Sequence, residues 1–363
     1  MIRDIDRLFL RRAVELAQRG LVSTTPNPRV GSIIVRGDQV IGRGWHVRSG
    51  DAHAEVNAIN DAGGDVAGAT VYVSLEPCCH TGLQPPCSEA LIRARVSRVV
   101  GAMTDPDPRV AGRGYEALRG AGIEVDSTEL PEACELNAGF AKRITQGRPL
   151  VRIKVGASLD GRTAMANGES QWITSPEARA DVQAWRARSC AILTGVGTVL
   201  ADDPRLDVRD DRFATAGVIR QPIIAVADSR GRTPADAKLF HGGGRVVLFC
   251  GSAGPGDHPH AEVVRHKAEQ VDLAAMLDWL AAAGCGEVLV EAGPTLTGAL
   301  LQANLWDEAV IYLAPKVLGD AAMPMARLPI EHLAQALQGD IRSSETVGGN
   351  LRLVLAPNRQ GVP

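Results

Sequence analysis

Apolar residues in the first twenty positions recur at helical spacing: Ile5, Leu8, Phe9, Ala13, Leu16 and Ala17 form one stripe among Arg and Asp side chains, and Gly20 closes it. That spacing predicts an amphipathic helix rather than a signal peptide. Thr25-Pro26-Asn27-Pro28 reads as a loop. The apolar runs Val30 to Val35 and Val40 to Trp45, joined by Arg36-Gly37-Asp38, predict a β-hairpin. Further on, His53 to Ala62 reads as a helix, Ala69 to Leu75 as a strand, and Cys87 as the start of a helix reaching about Arg95. A strand at Val96 to Ala102 and a glycine-closed helix at Tyr115 to Gly122 follow. Strands alternating with helices imply a layered α/β arrangement.

Periodicity fades between Asn137 and Pro149, a stretch ending Gln146-Gly147-Arg148-Pro149. A domain boundary is expected there, giving residues 1–147 and 148–363. A second series then begins with a strand at Val151 to Ala157 and a hairpin-type turn at Asp160-Gly161. Thr174-Ser175-Pro176-Glu177 reads as a Thr-x-x-Glu capping box with proline in the first helical turn. Cys190 to Thr194, Pro222 to Ala227, Arg245 to Cys250 and Glu287 to Glu291 are apolar strands, and Gly251 to Pro259 is a loop. Gly293-Pro294-Thr295-Leu296-Thr297-Gly298 reads as a turn before a helix at Ala299 to Gln302. Trp306 to Ala314 supplies a late strand, whose Val310 to Ala314 part is a candidate subunit interface.

A length of 363 residues favours two domains, and 45% hydrophobic with 22% charged residues provides ample core material. The net charge of -3 gives no electrostatic reason to bind nucleic acid or anionic membranes. No apolar run approaches membrane-spanning length. Seven cysteines, three of them at positions 78, 79 and 87, suggest metal binding in a reducing compartment instead of a disulfide framework, and a cytoplasmic location is expected.

The candidate chemistry begins at His53-Ala54-Glu55 and closes at Glu76-Pro77-Cys78-Cys79-His80 and Pro85-Pro86-Cys87. One imidazole and two thiols can hold zinc through three bonds, leaving a corner for water, whereas structural sites usually close with four. His80 or Cys79 could supply that fourth ligand. A zinc deaminase carries H-x-E followed by P-C-x-x-C, and here the second half is stretched to Pro-Cys-x8-Cys. Zinc would supply hydroxide at neutral pH by lowering the pKa of water to about 7. The helix starting at Cys87 favours a thiolate. Glu55, two residues from His53, points elsewhere on a helix and suits proton transfer better than ligation. His46 reads equally as a substrate contact or a packed loop histidine.

These residues, with Pro26-Asn27-Pro28-x-Val30-Gly31, Asp105-Pro106-Asp107-Pro108 and Gly112-Arg113-Gly114, resemble the bifunctional deaminase/reductase family of riboflavin biosynthesis. The resemblance continues through Lys154 to Thr163, Gly168 to Ser175, Ala201-Asp202-Asp203-Pro204 and Glu291 to Gly298. It implies a cytidine-deaminase-like three-layer domain followed by a dihydrofolate-reductase-like α/β domain. It further implies Zn2+ on His53, Cys78 and Cys87, Glu55 as proton shuttle, and Asn27 and His46 against the substrate. That substrate would be a small pyrimidine ribosyl phosphate losing its 2-amino group. Two residues depart from the family's pattern: Leu83 stands where many members carry Lys or Arg, and Asp107 where Asn is commoner. The first removes a charge that would hold the substrate phosphate, and the second adds one that repels it.

The second half lacks G-x-G-x-x-G, and the Gly293 to Gly298 turn alone could equally be a structural turn or a cradle for a dinucleotide's phosphates. The resemblance implies an NADPH-dependent reduction of the ribosyl ring to a ribityl chain. Ser170, Arg186, Leu206, Arg209 and Glu291 would then line the substrate, with Arg186 and Arg209 suited to its phosphate. Ala157, Trp172, Thr198, Asp202, Ser229 and the Gly293 turn would face the cofactor, Ser229 with Arg230 reading its 2′-phosphate. Lys154 and Asp202 are candidates for proton handling. Without the resemblance, Lys154 reads as a strand-end surface lysine and Trp172 as core. His258, His260 and His266 read as solvated. The family also suggests a homo-oligomer. Two competing readings are a nucleoside, nucleotide or tRNA deaminase with a non-catalytic second domain, and a zinc-stabilised binding protein without turnover.

Overall fold

A computed structural model describes residues 2–358. The chain divides into two compact units, Met1–Arg148 and Pro149–Pro363. In the first, the strands are β1 (Gly31–Arg36), β2 (Gln39–Trp45), β3 (Thr70–Val73), β4 (Arg98–Gly101) and β5 (Glu124–Ser127), in sheet order β2-β1-β3-β4-β5. The hairpin and the β1/β3 pair are antiparallel, and the remaining pairs are parallel. The helices are α1 (Asp4–Ala17), α2 (Ala54–Asp61), α3 (Cys87–Arg93), α4 (Arg113–Gly120), α5 (Pro131–Leu136) and α6 (Ala138–Gln146). Phe9, Leu10, Ala13 and Val14 of α1 and Ala133 of α5 pack on one face with Ile33, Val35 and Tyr72. Ala58, Leu91 and Leu118 of α2, α3 and α4 cover the other with Ile34, Val71 and Val99. The expected three layers are present.

Residues 137–149, where apolar periodicity fades, hold α6, which ends on left-handed Gly147. One expectation fails here: the stripe on α1 is rotated, with Ile5 and Leu8 exposed and Leu10 and Val14 buried. The cause is Asp6, a charged residue drawn inside. Its carboxylate accepts bonds from Arg98 Nη1 (2.8 Å), Arg98 Nη2 (3.1 Å) and Tyr72 Oη (2.8 Å), and Arg3 joins from the helix start. Burial works against the Asp6 charge, but these donors outweigh it and hold the carboxyl far below its ordinary range. The stabilisation is therefore complete above the unfolded-state pKa of about 3.9 and is lost progressively as pH falls from there toward the much lower folded-state value. Asp6→Asn should cost about 2 kcal/mol at neutral pH, because Arg98 loses its charged hydrogen bonds to Asp6 and keeps those to Asp126 and Glu124. Urea unfolding at pH 7 and pH 3 checks this: the gap between variant and wild type should shrink in acid.

α2 lies hard against β2. A Cβ on Gly44 would come within 2.3 Å of both the Ala54 oxygen and the Ala58 nitrogen, so no side chain fits between strand and helix. This close approach brings the start of α2, with His53 and Glu55, down to the sheet.

The second unit holds a sheet of nine strands: β6 (Leu150–Ser158), β8 (Ala191–Gly195), β9 (Ile223–Ala227), β10 (Val246–Cys250), β11 (Glu262–Arg265), β12 (Glu287–Val290), β13 (Glu308–Ala314), β15 (Gly339–Val347) and β16 (Asn350–Pro357). The short strands β7 (Arg162–Ala164) and β14 (Met323–Pro324) pair with each other. The sheet order is β11-β10-β9-β8-β12-β6-β13-β16-β15, parallel from β11 to β13 and antiparallel beyond. Its helices are α7 (Pro176–Arg188), α8 (Val196–Asp202), α9 (Leu273–Ala282) and α10 (Pro294–Gln302). Met276, Leu280 and Leu300 of α9 and α10 cover one face; Val199 of α8 and Val182 of α7 lie against the other.

Two further expectations are corrected. The cap of α7 is Ser175, whose hydroxyl accepts from Ala178 N–H, and not Thr174. Pro176 disfavours a helical conformation in the residue before it, which makes that residue the cap. The Gly293 to Gly298 segment is not a turn, because α10 already begins at Pro294 and Gly293 is only its cap. β13 runs between β6 and β16 with Val310, Tyr312 and Ala314 buried on one face, while Ile311 and Leu313 on the other are only partly buried. No helix among the described residues is long and apolar enough to cross a membrane.

Candidate active sites

In the first unit His53 caps α2 in an extended conformation and Cys87 is the first residue of α3. His53 Nδ1 lies 3.1 Å from Cys87 Sγ and 3.6 Å from Cys78 Sγ. The three ligand atoms all fall within 4.8 Å of one another. Tetrahedral bonds of about 2.0 Å to nitrogen and 2.3 Å to sulfur place neighbouring ligand atoms about 3.5 Å apart, so the donor set fits zinc in size and in kind. Hydrogen bonding from Cys87, with His53 alongside, draws the Cys78 thiol well down toward thiolate. Cys79 and His80 are not part of the cluster: the Cys79 thiol points at the Arg109 carbonyl, 3.6 Å away, and His80 Nδ1 is buried without a partner.

Glu55 is 2% exposed, and burial pushes its carboxyl up to about 7. His46 is buried as well, and burial lowers its pKa. Its Nδ1 meets the Ala52 carbonyl at 3.2 Å, which leaves Nε2 as acceptor for the Asn27 amide at 3.1 Å. The His46 and His53 rings stand edge to face at 5.2 Å. Asn27, His46 and His53 are thus brought together.

The two departures behave differently. Leu83 is 84% exposed in the loop between the cysteines. Asp107 does not present a bare charge: Arg109 covers it, Nε at 3.0 Å and Nη2 at 2.6 Å, and holds its carboxyl below the ordinary value. The expected repulsion of a phosphate is therefore largely neutralised locally. Sequence reasoning gave no role to Asp105, a buried acid pushed up to about 7, chiefly by burial. The only signal was its Asp-Pro-Asp-Pro setting.

In the second unit Glu291 follows directly on β12, and the carboxyl ends of parallel strands are where such sheets bind ligands. Burial opposes its charge, yet Arg186 and Lys154 overcome this and bring it to about 2. Arg186 grips both carboxylate oxygens (Nε–Oε1 2.5 Å, Nη2–Oε2 3.0 Å) and gives Nη1 to the Asp207 carbonyl. Its fork is therefore engaged by Glu291, contrary to the expectation of a guanidinium open to phosphate. Lys154 is 21% exposed, with Nζ 3.5 Å from Glu291, so it is no surface lysine. Arg209 is exposed, held near Asp207 Oδ1 at 3.4 Å, with its amide on Gln183. Leu206 is buried beside it at a φ of 54°.

Among the residues expected to face a cofactor, Gly293 N–H donates to Thr198 Oγ1 at 3.1 Å and Leu296 packs on Gly195. Thr295 and Leu296 amides, in the first turn of α10, have no intrahelical acceptor. Thr297 differs: its amide is committed to the Gly293 carbonyl, and a Cβ on Gly298 would meet Arg327 O at 2.0 Å. Those two cannot cradle a phosphate as a loop would. Ser170 bonds Asp202 at 3.3 Å, and Ala157 is buried in β6. Trp172 is 59% exposed under the Arg179 guanidinium, and so is not core. Ser229 donates to Gln270 Oε1 and accepts from Val271 N–H, both at 3.1 Å. His258 and His266 are not fully solvated, since both Nε2 atoms are buried without a partner and His258 stacks on Phe240.

Fold and sites together define a bifunctional deaminase and reductase. Residues 3–103 match the cytidine and deoxycytidylate deaminase zinc-binding region, and residues 149–352 match the RibD C-terminal domain. The riboflavin biosynthesis protein RibD of Escherichia coli is 47% identical over 96% of this chain and 99% of its own. That of Haemophilus influenzae is 42% identical over 97% of each. Acinetobacter baumannii RibD superposes with a TM-score of 0.92 at 43% identity, covering 98% of this chain and 99% of that one. A deaminase/reductase from Thermotoga maritima gives 0.88 at 31%, covering 97% and 99%. The chain belongs to the RibD family, the bifunctional deaminase/reductase proteins of riboflavin biosynthesis.

Proposed function

We propose that residues 1–147 deaminate 2,5-diamino-6-ribosylamino-4(3H)-pyrimidinone 5′-phosphate and that residues 148–363 then reduce its ribosyl group with NADPH. The Thermotoga relative is described as a diaminohydroxyphosphoribosylaminopyrimidine deaminase and 5-amino-6-(5-phosphoribosylamino)uracil reductase. The observation that carries the reading is the His53, Cys78 and Cys87 donor set with buried Glu55 two residues from the imidazole. When bound there, zinc supplies a water acidified to a pKa of about 7. Glu55 takes a proton from the attacking water and passes it to the departing amine, so that ammonia leaves as oxygen bonds to C2. Asn27 and His46 orient the base.

In the reductase, hydride goes to the sugar's C1 while its bond to the ring oxygen breaks and that oxygen gains a proton. Lys154, held by Glu291, is placed to manage that proton, with Asp202 as the other candidate. Ser170, Leu206 and Glu291 line the sugar. Arg209 meets the phosphate, with Arg186 positioned through Glu291. Ala157, Trp172, Thr198, Asp202, Ser229 and the first turn of α10 at Gly293, Pro294, Thr295 and Leu296 accommodate NADPH.

Three readouts on one purified preparation test the whole proposal: zinc content, ammonia release, and NADPH oxidation. One zinc per chain, ammonia from the diaminopyrimidinone, and NADPH consumption dependent on that ammonia step are expected. Zinc alone would mark a binding protein, and ammonia without NADPH consumption a lone deaminase.

A further inference from the structure

We propose that Glu76 is a positioning residue for the metal-binding turn, its carboxylate fixing the backbone that carries Cys78. This rests on the reading of His53, Cys78 and Cys87 as a zinc site and adds a residue to it. Glu76 is 3% exposed and lies two positions before Cys78. Its own N–H donates to the Met103 carbonyl at 2.9 Å, so the chain leaving β3 stays beside the chain leaving β4. Its Oε1 accepts from the amides of Gly114 (2.9 Å) and Tyr115 (3.4 Å). Its Oε2 accepts from those of Gly112 (2.9 Å) and Asp105 (3.2 Å).

One side chain thus joins three segments: the turn before Cys78, the Asp105 loop, and the start of α4. The approach is tight. A Cβ on Gly114 would fall 2.0 Å from the Pro77 carbonyl oxygen, so α4 begins directly against the residue preceding the ligand. On its far side Cys78 is tied to α3: its carbonyl accepts from Ser88 N–H at 3.1 Å and its sulfur from Cys87 N–H at 3.3 Å. Glu76 is the anchor on the near side. A carboxylate accepts at both oxygens, and an amide does not. Glu76→Gln keeps the shape but turns an NH2 group toward backbone N–H donors, setting donor against donor in a buried place.

A residue that merely started α4 would affect stability and nothing else. The attachment to Pro77 and Cys78 predicts a change in metal affinity too. Zinc affinity of the full chain, measured by competition with a chromophoric chelator, should weaken about 10–100-fold in Glu76→Gln. Asp6→Asn, which lowers the unfolding temperature of the same unit from a distance, should keep zinc within about twofold of wild type. Should Glu76→Gln not fold, Glu76→Asp, with the carboxylate drawn back, provides the comparison. Unchanged zinc affinity in the Glu76 variants overturns the inference, and so does equal loosening in Asp6→Asn. If wild type takes up no zinc, or His53→Ala binds it as well, the zinc-site reading itself falls, and that outcome is distinct from the other two.

Discussion

Glu55→Gln should reduce ammonia release by about 10²–10⁴-fold, the range for removing a positioned proton carrier, with zinc content unchanged. Glu55 is buried in the first turn of α2, two residues after its cap, His53. Gln occupies the same volume and can still accept a hydrogen bond, so the fold and the donor cluster persist. What is lost is the capacity to take a proton from water and return it to the amine. NADPH oxidation with an already deaminated substrate should proceed at the wild-type rate. Ammonia release within about tenfold of wild type would show that another group carries the proton.

Lys154→Met should lower NADPH oxidation by about 10²–10³-fold and leave ammonia release intact. The lysine stands in the middle of β6, its amine 3.5 Å from Glu291. Arg186 holds the same carboxylate through two bonds, so the buried charge at Glu291 keeps a partner after the substitution. That pairing separates this variant from Glu291→Gln, which would leave Arg186 uncompensated and damage the fold as well. Steady-state rates with saturating NADPH provide the check. A loss smaller than about tenfold would move the proton role to Asp202, which lies exposed beside Ser170.

The His53, Cys78 and Cys87 cluster was legible because its chemistry is local: a histidine at a helix cap and a cysteine at a helix start are signalled by adjacent residues. The strand-helix alternation was legible for the same reason, since each element carries its own period. Failures came where a distant partner decided the outcome. Asp6 is read as surface until Arg98 and Tyr72, on β4 and β3, draw it inside and turn α1. Arg186 looks free until Glu291 meets it, more than a hundred positions later. The start of α10 was mistaken for a turn because glycines at 293 and 298 outweighed a proline at the first helical position, a residue that favours helix entry. Glu76 appeared as one letter of a motif. Its four amide contacts come from residues between 105 and 115, beyond the reach of any short pattern.

Gly44 bears no functional group, yet helix backbone occupies the space where its side chain would be. Adding a single methyl there would push the imidazole-bearing cap and the buried acid outward together. Tolerance to mutation around this centre is therefore set partly by empty positions, and a residue defined by what it lacks guards the geometry as strictly as the ligands do.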